Sequence, residues 1–180
     1  QAGFTVEPSG TLTFSNVVFS GISQFGEREA FVVVRTNGVF RMQGAAALRG
    51  IANPVGQCGA VLNGGKMEMT SGSMIEKCAS DYGWGGGVYV ESTGELALSD
   101  ATITGCRALE LGGGVYAAAG AKLTLAGATR VTGNVQKGEY AGDVAQPDDI
   151  YAWDLVKGES LSPITVTGEM TDDASVRIRL

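Results

Sequence analysis

The aromatic residues of the C-terminal half are the side chains in this sequence best suited to bind a ligand. Tyr89, Tyr116 and Tyr151 occupy equivalent positions in successive copies of a repeat, and strand alternation places them on one outward face. Trp84 precedes the first of them, and Trp153 follows the last. Flat rings on a surface bind sugar rings or partner proteins, whereas tyrosines at repeat positions also form ladders that only stabilise adjacent strands. Both interpretations fit the pattern, and these five residues are the predicted ligand-binding candidates.

A second group of side chains with chemical potential is acidic and lies near the C-terminus. It consists of Glu139, Asp143, Asp148, Asp149 and Asp154. Oxygen-rich loops bind calcium, but these residues lack the alternating spacing of a dedicated calcium loop. A solvated acidic loop explains the group better, so we predict no metal site and no cofactor.

The chain contains no histidine, which excludes Ser–His–Asp and Cys–His catalysis and histidine-ligated metal sites. One outer column of the repeat contains a single carboxylate, Glu68, next to Arg41, and we predict a cross-coil ion pair there. The column is Thr13, Arg41, Glu68, Ala97, Thr124 and Thr165, which is too mixed for an ice-binding threonine array. No catalytic residue is predicted.

A repeat of 26–30 residues positions these side chains. Glycines recur at positions 10, 38, 64, 94 and 120, and each is followed by two apolar residues in alternation. The pairs are Leu12/Phe14, Phe40/Met42, Met67/Met69, Leu96/Leu98 and Leu123/Leu125, and Ile164/Val166 forms a sixth. Alternation with a period of two predicts strands that bury one face.

Two further short stretches in each repeat also predict strands. One precedes each glycine, at residues 4–6, 32–34, 60–62, 88–90, 115–117 and 150–152. The other contains Phe19, Ile75, Ile103 and Val131. No stretch has helical periodicity, and only the connectors near 44–49 and 107–111 could hold a turn of helix.

Three short strands cannot bury a face within one coil, but stacked coils can, because each strand pairs in parallel with its equivalent in the next coil. The sequence therefore predicts an all-β fold, a parallel β-helix (solenoid) of about 5–6 coils with three short strands per coil. A β-sandwich of hairpins predicts turn spacings of about 8–12 residues and does not explain the longer repeat. Residues 1–180 form a single domain, and the chain starts in the middle of the repeat pattern, so we expect a fragment of a longer repeat protein.

Cysteine positions allow two interpretations. Cys78 and Cys106 occupy the same column in neighbouring coils, where buried free thiols or a disulfide bridge would both fit the spacing. Cys58 is expected to be a packed small residue.

The net charge of −6 argues against nucleic acid and anionic membrane surfaces as partners. No apolar run is long enough to span a membrane, so no membrane insertion by this segment is expected.

The phrases GGGVYVESTGELALSDATITGC (residues 85–106) and GGGVYAAAGAKLTLAGATRVTGN (residues 112–134) resemble the repeats of large bacterial surface and secreted proteins, including autotransporter passenger domains and adhesin-like proteins. The resemblance implies a right-handed β-helix, export, and an extracellular or cell-surface location. It implies a non-catalytic module for adhesion or binding, with a glycan or host surface protein as partner and flanking domains of the same chain nearby. A passive stalk or spacer is the alternative, and a polysaccharide-active, lyase-like enzyme is a second one.

Overall fold

The computed structural model describes residues 2–23, 26, 29–137, 144–152, 164–171 and 174–179 of the chain, and their regular structure consists of β-strands. The chain forms a β-solenoid of about five coils, which confirms the predicted fold class. Among the described residues no helix occurs, and hence none that could cross a membrane.

Two long sheets contain the strands that the glycine repeat predicts. Sheet I has seven strands in the order β1-β4-β8-β12-β16-β21-β24. They are Phe4–Val6, Val32–Val34, Val61–Asn63, Val88–Val90, Val115–Ala117, Ile150–Ala152 and Ile178–Arg179. Sheet II has six strands in the order β2-β5-β9-β13-β17-β22. They are Thr11–Ser15, Val39–Gln43, Lys66–Thr70, Glu95–Ser99, Lys122–Gly127 and Ile164–Met170.

Two further sheets complete each coil. Sheet III has six strands in the order β23-β18-β14-β10-β6-β3. In that order they are Ser175–Val176, Arg130–Thr132, Thr102–Thr104, Met74–Glu76, Ala47–Arg49 and Val18–Ser20. Sheet IV has five two-residue strands in the order β20-β19-β15-β11-β7, and only the pair β19–β20 is antiparallel. In that order they are Gln146–Pro147, Val135–Gln136, Arg107–Ala108, Ala79–Ser80 and Ala52–Asn53.

Sheet IV and strand β6 correct two expectations from the sequence. Three strands per coil were expected, and the described coils add a fourth short sheet. The connectors near 44–49 and 107–111 were expected to hold a helical turn, but they contain β6 and β15. Both strands pair with neighbouring coils on each side, so stacking supplies the backbone partners that a helical turn would have made internally.

The solenoid interior contains the apolar columns predicted from alternation. Sheet II pairs Leu12 with Phe40, and the column continues through Met67, Leu96, Leu123 and Ile164. Its four central residues are 0–2% exposed. Val166, the last member of the neighbouring column, is 56% exposed because β22 is the edge strand of sheet II.

The third coil departs from the predicted register by one residue. Strand β8 spans Val61–Asn63 and not residues 60–62, so Asn63 takes the inward position of Val34 and Val90. Asn63 is fully buried, and its side-chain Nδ2 donates to the carbonyl of Glu95 at 2.9 Å. This shift places Leu62, and not Val61, on the outer face of sheet I.

Candidate ligand-binding site on sheet I

The outer face of sheet I aligns the three predicted tyrosines in one column. Backbone pairing joins Tyr89 to Tyr116 and Tyr116 to Tyr151. The first two rings stack with centroids 5.0 Å apart, and the second two with centroids 5.7 Å apart and an interplanar angle of 5°. These separations approach the spacing of about 4.8 Å between neighbouring strands, so parallel pairing sets the stack directly.

Trp84 joins this stack from the loop before β12. Its ring centroid lies 6.2 Å from that of Tyr89 and 5.9 Å from that of Tyr116. The backbone N–H of Trp84 donates to the carbonyl of Gln57 in the preceding coil at 2.8 Å, which fixes the loop against its neighbour. The structure thus brings together four of the five predicted residues, and Trp153 lies outside the described residues.

The aromatic column is less exposed than the sequence suggested. Tyr116 and Tyr151 are each 7% exposed, whereas Trp84 and Tyr89 are half-buried. Part of the outer face is covered elsewhere too, because Ala30, Val33 and Cys58 form a second buried apolar cluster against Leu62 and Tyr89. Tyr116 and Tyr151 therefore form a packed ladder, and the accessible part of the column is its end at Tyr89.

Tyr89 and Tyr116 are uncharged over the physiological pH range. Burial raises the pKa of Tyr116 to about 12, with further contributions from the neighbouring Tyr89, Tyr151 and Glu110. Burial also raises the pKa of Tyr89, and the nearby Glu91 carboxylate adds to the increase. Both hydroxyl groups keep their protons, and that of Tyr89, at the accessible end of the column, can donate a hydrogen bond to a ligand.

A cavity of about 310 Å³ opens where the tyrosine column ends. The partner of Tyr89 in the preceding coil is Leu62, and the next residue of the column is Val33. These side chains are shorter than a tyrosine, so the column of tyrosine rings ends at Tyr89. The cavity is lined by Arg35, Gln57, Cys58, Leu62, Tyr89 and Glu91.

Arg35 and Glu91 supply opposite charges at the edge of this cavity. Each follows a strand of sheet I, β4 or β12, and Gly64 is the equivalent residue of the coil between them. A Cβ atom on Gly64 would overlap the Oε2 atom of Glu91, so the carboxylate lies over this glycine. Among the described residues neither charge has an ion-pair partner, which leaves both able to bind a ligand.

Arg35, Gln57 and Glu91 were not predicted as site residues. The aligned repeat contains a signal for Arg35 and Glu91. The position that follows the sheet I strand is a cation in the second coil, a glycine in the third and a carboxylate in the fourth. Gln57 has no such signal, because it comes from a loop whose path the repeat does not determine.

The acidic group near the C-terminus is not a solvated loop where the structure describes it. Asp148 and Asp149 are 0% and 1% exposed. Asp148 Oδ2 accepts from the backbone N–H of Gly112 at 2.7 Å. Asp149 Oδ1 accepts from the backbone N–H of Asn134 at 2.7 Å and from its side-chain Nδ2 at 2.9 Å. Asp148 therefore joins neighbouring coils, and Asp149 holds Asn134, whose side chain bonds to Cys106 and Ile103 of the preceding coil. Glu139, Asp143 and Asp154 lie outside the described residues.

The predicted ion pair on sheet II is confirmed. Arg41 Nε lies 2.7 Å from Glu68 Oε2, and Lys66 Nζ lies 2.7 Å from Glu68 Oε1. The hydrogen bond from Lys66, followed by that from Arg41, lowers the pKa of Glu68 below its ordinary value. A general acid needs a raised pKa that keeps it protonated, whereas the lowered pKa of Glu68 favours the ionised carboxylate.

Within the described residues no cluster of three or more acidic or cysteine ligands could hold a metal ion.

The cysteines are buried free thiols, which decides between the two interpretations of their spacing. Cys106 lies in the same column as Asn134, whose side-chain Oδ1 accepts from the Cys106 backbone N–H at 2.9 Å. Burial, and then the charge of Glu91, raises the pKa of Cys58 to about 12. Burial also raises the pKa of Cys106.

We expect all three thiols to be inert towards DTNB at pH 8 in the folded protein, because all three are buried away from the reagent, and to react fully in guanidinium chloride. Since the Cys58 pKa is raised on folding, its contribution to stability is complete below pH 9 and declines as the pH rises towards about 12. Absorbance at 412 nm counts the reacting thiols. A fast reaction of any thiol in the native protein would contradict the buried arrangement.

Comparison of the chain with protein families, with curated proteins and with solved structures found no match in any of the three.

Proposed function

We propose that this chain is a non-catalytic β-solenoid module that binds a glycan at the cavity beside Tyr89. The observation that carries the proposal is a tyrosine ring that stacks on Tyr116 and lines a cavity together with Arg35, Gln57 and Glu91. A sugar ring has an apolar face that packs on an aromatic ring and hydroxyl groups at its edge that bond to charged and amide side chains. The cavity offers both kinds of contact.

The scaffold supports this proposal because it holds the site rigidly. Arg35, Leu62 and Tyr89 come from three successive coils whose strands pair in register. Ligand sites on paired strands are positioned more accurately than sites on loops, so less conformational entropy is lost on binding. The resemblance of the GGGVY repeats to bacterial surface and secreted proteins supports an extracellular location and a role in adhesion.

Substitution of Tyr89 by alanine should weaken glycan binding by about tenfold or more, which corresponds to about 1.4 kcal/mol. The change removes the stacking surface but leaves the inward residues of β12 in place. Arg35→Ala should have an effect of similar size because it removes the cation of the cavity. A glycan array identifies the ligand, and isothermal titration calorimetry measures the affinity of each variant.

Tyr82→Ala is the matched control, because Tyr82 is 65% exposed and does not line the cavity. It should bind like the unmodified protein. Circular dichroism and the melting temperature establish that each variant is folded. The proposal is wrong if no glycan or host glycoprotein binds, or if Tyr89→Ala and Arg35→Ala bind as tightly as Tyr82→Ala.

A passive stalk is the second candidate, and the burial of Tyr116 and Tyr151 favours it. In that function the aromatic ladder only stabilises adjacent coils. A stalk predicts that Tyr116→Ala lowers stability and that no Tyr89 variant changes the binding of any ligand. The calorimetric measurement therefore separates the two functions.

A further inference from the structure

The corner between sheets I and II is shorter in the third coil than in its neighbours. Four residues separate β4 from β5 and β12 from β13, but only Gly64 and Gly65 separate β8 from β9. The third coil therefore turns directly from one sheet to the other, while the flanking coils project further outwards. A Cβ atom on Gly65 would overlap the carbonyl oxygens of Gly38 and Arg35, so glycine is required for this tight turn.

The short corner leaves a gap that two threonine hydroxyls bridge. Thr36 and Thr93 belong to the second and fourth coils, yet their Oγ1 atoms lie 3.4 Å apart. Strands two coils apart are separated by roughly 10 Å, so this contact crosses the space that a longer third corner would fill. Thr93 Oγ1 also donates to the carbonyl of Gly64 at 2.8 Å, which holds the bridge against the short corner.

A cavity lies on each side of the threonine bridge. On the sheet I side is the cavity beside Tyr89, whose edge includes Arg35 and Glu91. On the sheet II side is a second cavity of about 210 Å³, lined in part by both threonines, Asn37, Lys66 and Glu95. Arg35 directly precedes Thr36 in the chain, and Glu91 lies two residues before Thr93. The linings of the two cavities therefore continue into one another along the chain on both sides of the bridge.

The second cavity is lined by groups that can form hydrogen bonds with the hydroxyl groups of a ligand. It presents the two threonine hydroxyls, the amide of Asn37 and one charge of each sign. Both charges have partners outside the gap, since Lys66 Nζ lies 2.7 Å from Glu68 and Glu95 Oε1 lies 2.8 Å from Lys122.

The charges of the two cavities are balanced. Each contains one cation and one carboxylate, so neither offers a net positive field to an anion. A neutral sugar can bond through its hydroxyl groups to both the cation and the carboxylate of a cavity, whereas a uronate or sulfate group close to Glu91 or Glu95 meets a repulsion that makes one of these two contacts unfavourable.

We propose that the two cavities form one site for a neutral glycan of at least two sugar units. One unit stacks on Tyr89, the linkage passes over the Thr36–Thr93 bridge, and the next unit occupies the second cavity. This inference rests on the proposed glycan-binding function and adds the length and the charge of the ligand. The first cavity alone lies at the lower end of the size range of small-ligand pockets, and the second cavity enlarges the space for a ligand.

The test compares neutral glucose, mannose and galactose with their di- and trisaccharides, and with a trisaccharide of galacturonic acid, by isothermal titration calorimetry. We expect a neutral oligosaccharide to bind at least tenfold more tightly than its monosaccharide, and the uronate to bind more weakly. Insertion of Ser-Thr between Gly64 and Gly65 gives the third corner the length of its neighbours and fills the gap. It should remove the oligosaccharide advantage, because the added residues occupy the gap.

A second variant, Thr36→Val with Glu95→Gln, removes polar groups of the second cavity without changing the backbone, and it should also remove the advantage. Equal affinity of the unmodified protein for mono- and oligosaccharides would overturn this inference while leaving the proposed function intact. Equal affinity for neutral and uronate trisaccharides would overturn the charge preference. Failure of all the saccharides to bind would overturn both proposals together.

Discussion

Substitution of Gly86 by alanine should destabilise the protein by about 3 kcal/mol or more, at or above the upper end of the usual range for overpacking. Gly86 is the second glycine of the first GGG motif, and a Cβ atom there would overlap the carbonyl oxygens of Arg107 and Gly113. These are backbone atoms of the next coil, so a rotamer change cannot relieve the overlap. The coils would have to separate, and the parallel pairing between β12 and β16 would weaken.

Gly21→Ala is the control for this prediction. Gly21 has a positive φ of 65°, but a Cβ atom there meets nothing within 4 Å. Its cost is limited to backbone strain of about 1–2 kcal/mol. Urea denaturation measures both variants, and hydrogen exchange locates the damage, which should lie between the fourth and fifth coils because solenoid coils contact only their neighbours. Equal destabilisation by the two variants would contradict the argument that Gly86 is required because the backbone of the next coil approaches it closely.

Substitution of Asp149 by alanine should destabilise the protein by about 2–4 kcal/mol, since it leaves two buried N–H donors of Asn134 without their carboxylate. The remaining polar atoms of Asn134 are already engaged, because Nδ2 also donates to Ile103 and Oδ1 accepts from Cys106. No other acceptor replaces the lost carboxylate at that position without a change in the coil.

Asp81→Ala is the matched control, because Asp81 forms an ion pair with Arg107 at 2.9 Å between partly exposed side chains. Its loss should cost less than about 1 kcal/mol. Asp149→Asn keeps one acceptor oxygen and should fall between the two alanine variants. Urea denaturation provides the comparison. If Asp149→Ala costs no more than Asp81→Ala, the buried carboxylate does not hold Asn134 in place as described.

Much of the fold could be predicted because stacking repeats one local pattern. The apolar pairs of sheet II align as expected, and the predicted Arg41–Glu68 ion pair follows from the same register. The third coil was misaligned where polar Asn63 replaces an apolar residue of the inner column. Apolar alternation alone favoured residues 60–62, since a buried amide can be recognised only from the hydrogen bond that it makes.

The candidate site could be predicted in part. The repeat placed Tyr89, Tyr116 and Tyr151 in one column, but their exposure depends on side chains and loops that fold over sheet I. The same reason explains the error for Asp148 and Asp149, whose spacing suggested a solvated loop.

The sequence by itself determined the stacking of coils, the inward columns and the alignment of the tyrosines, because alternation and glycine positions act through backbone geometry that is the same in every coil. Only the tertiary structure decided where a ligand could enter. The cavity beside Tyr89 exists because the tyrosine column ends at Leu62, and the adjoining gap exists because one corner is two residues shorter than the corners above and below it. Both features arise from differences between neighbouring coils, and such a difference forms a cavity only when the coils are stacked.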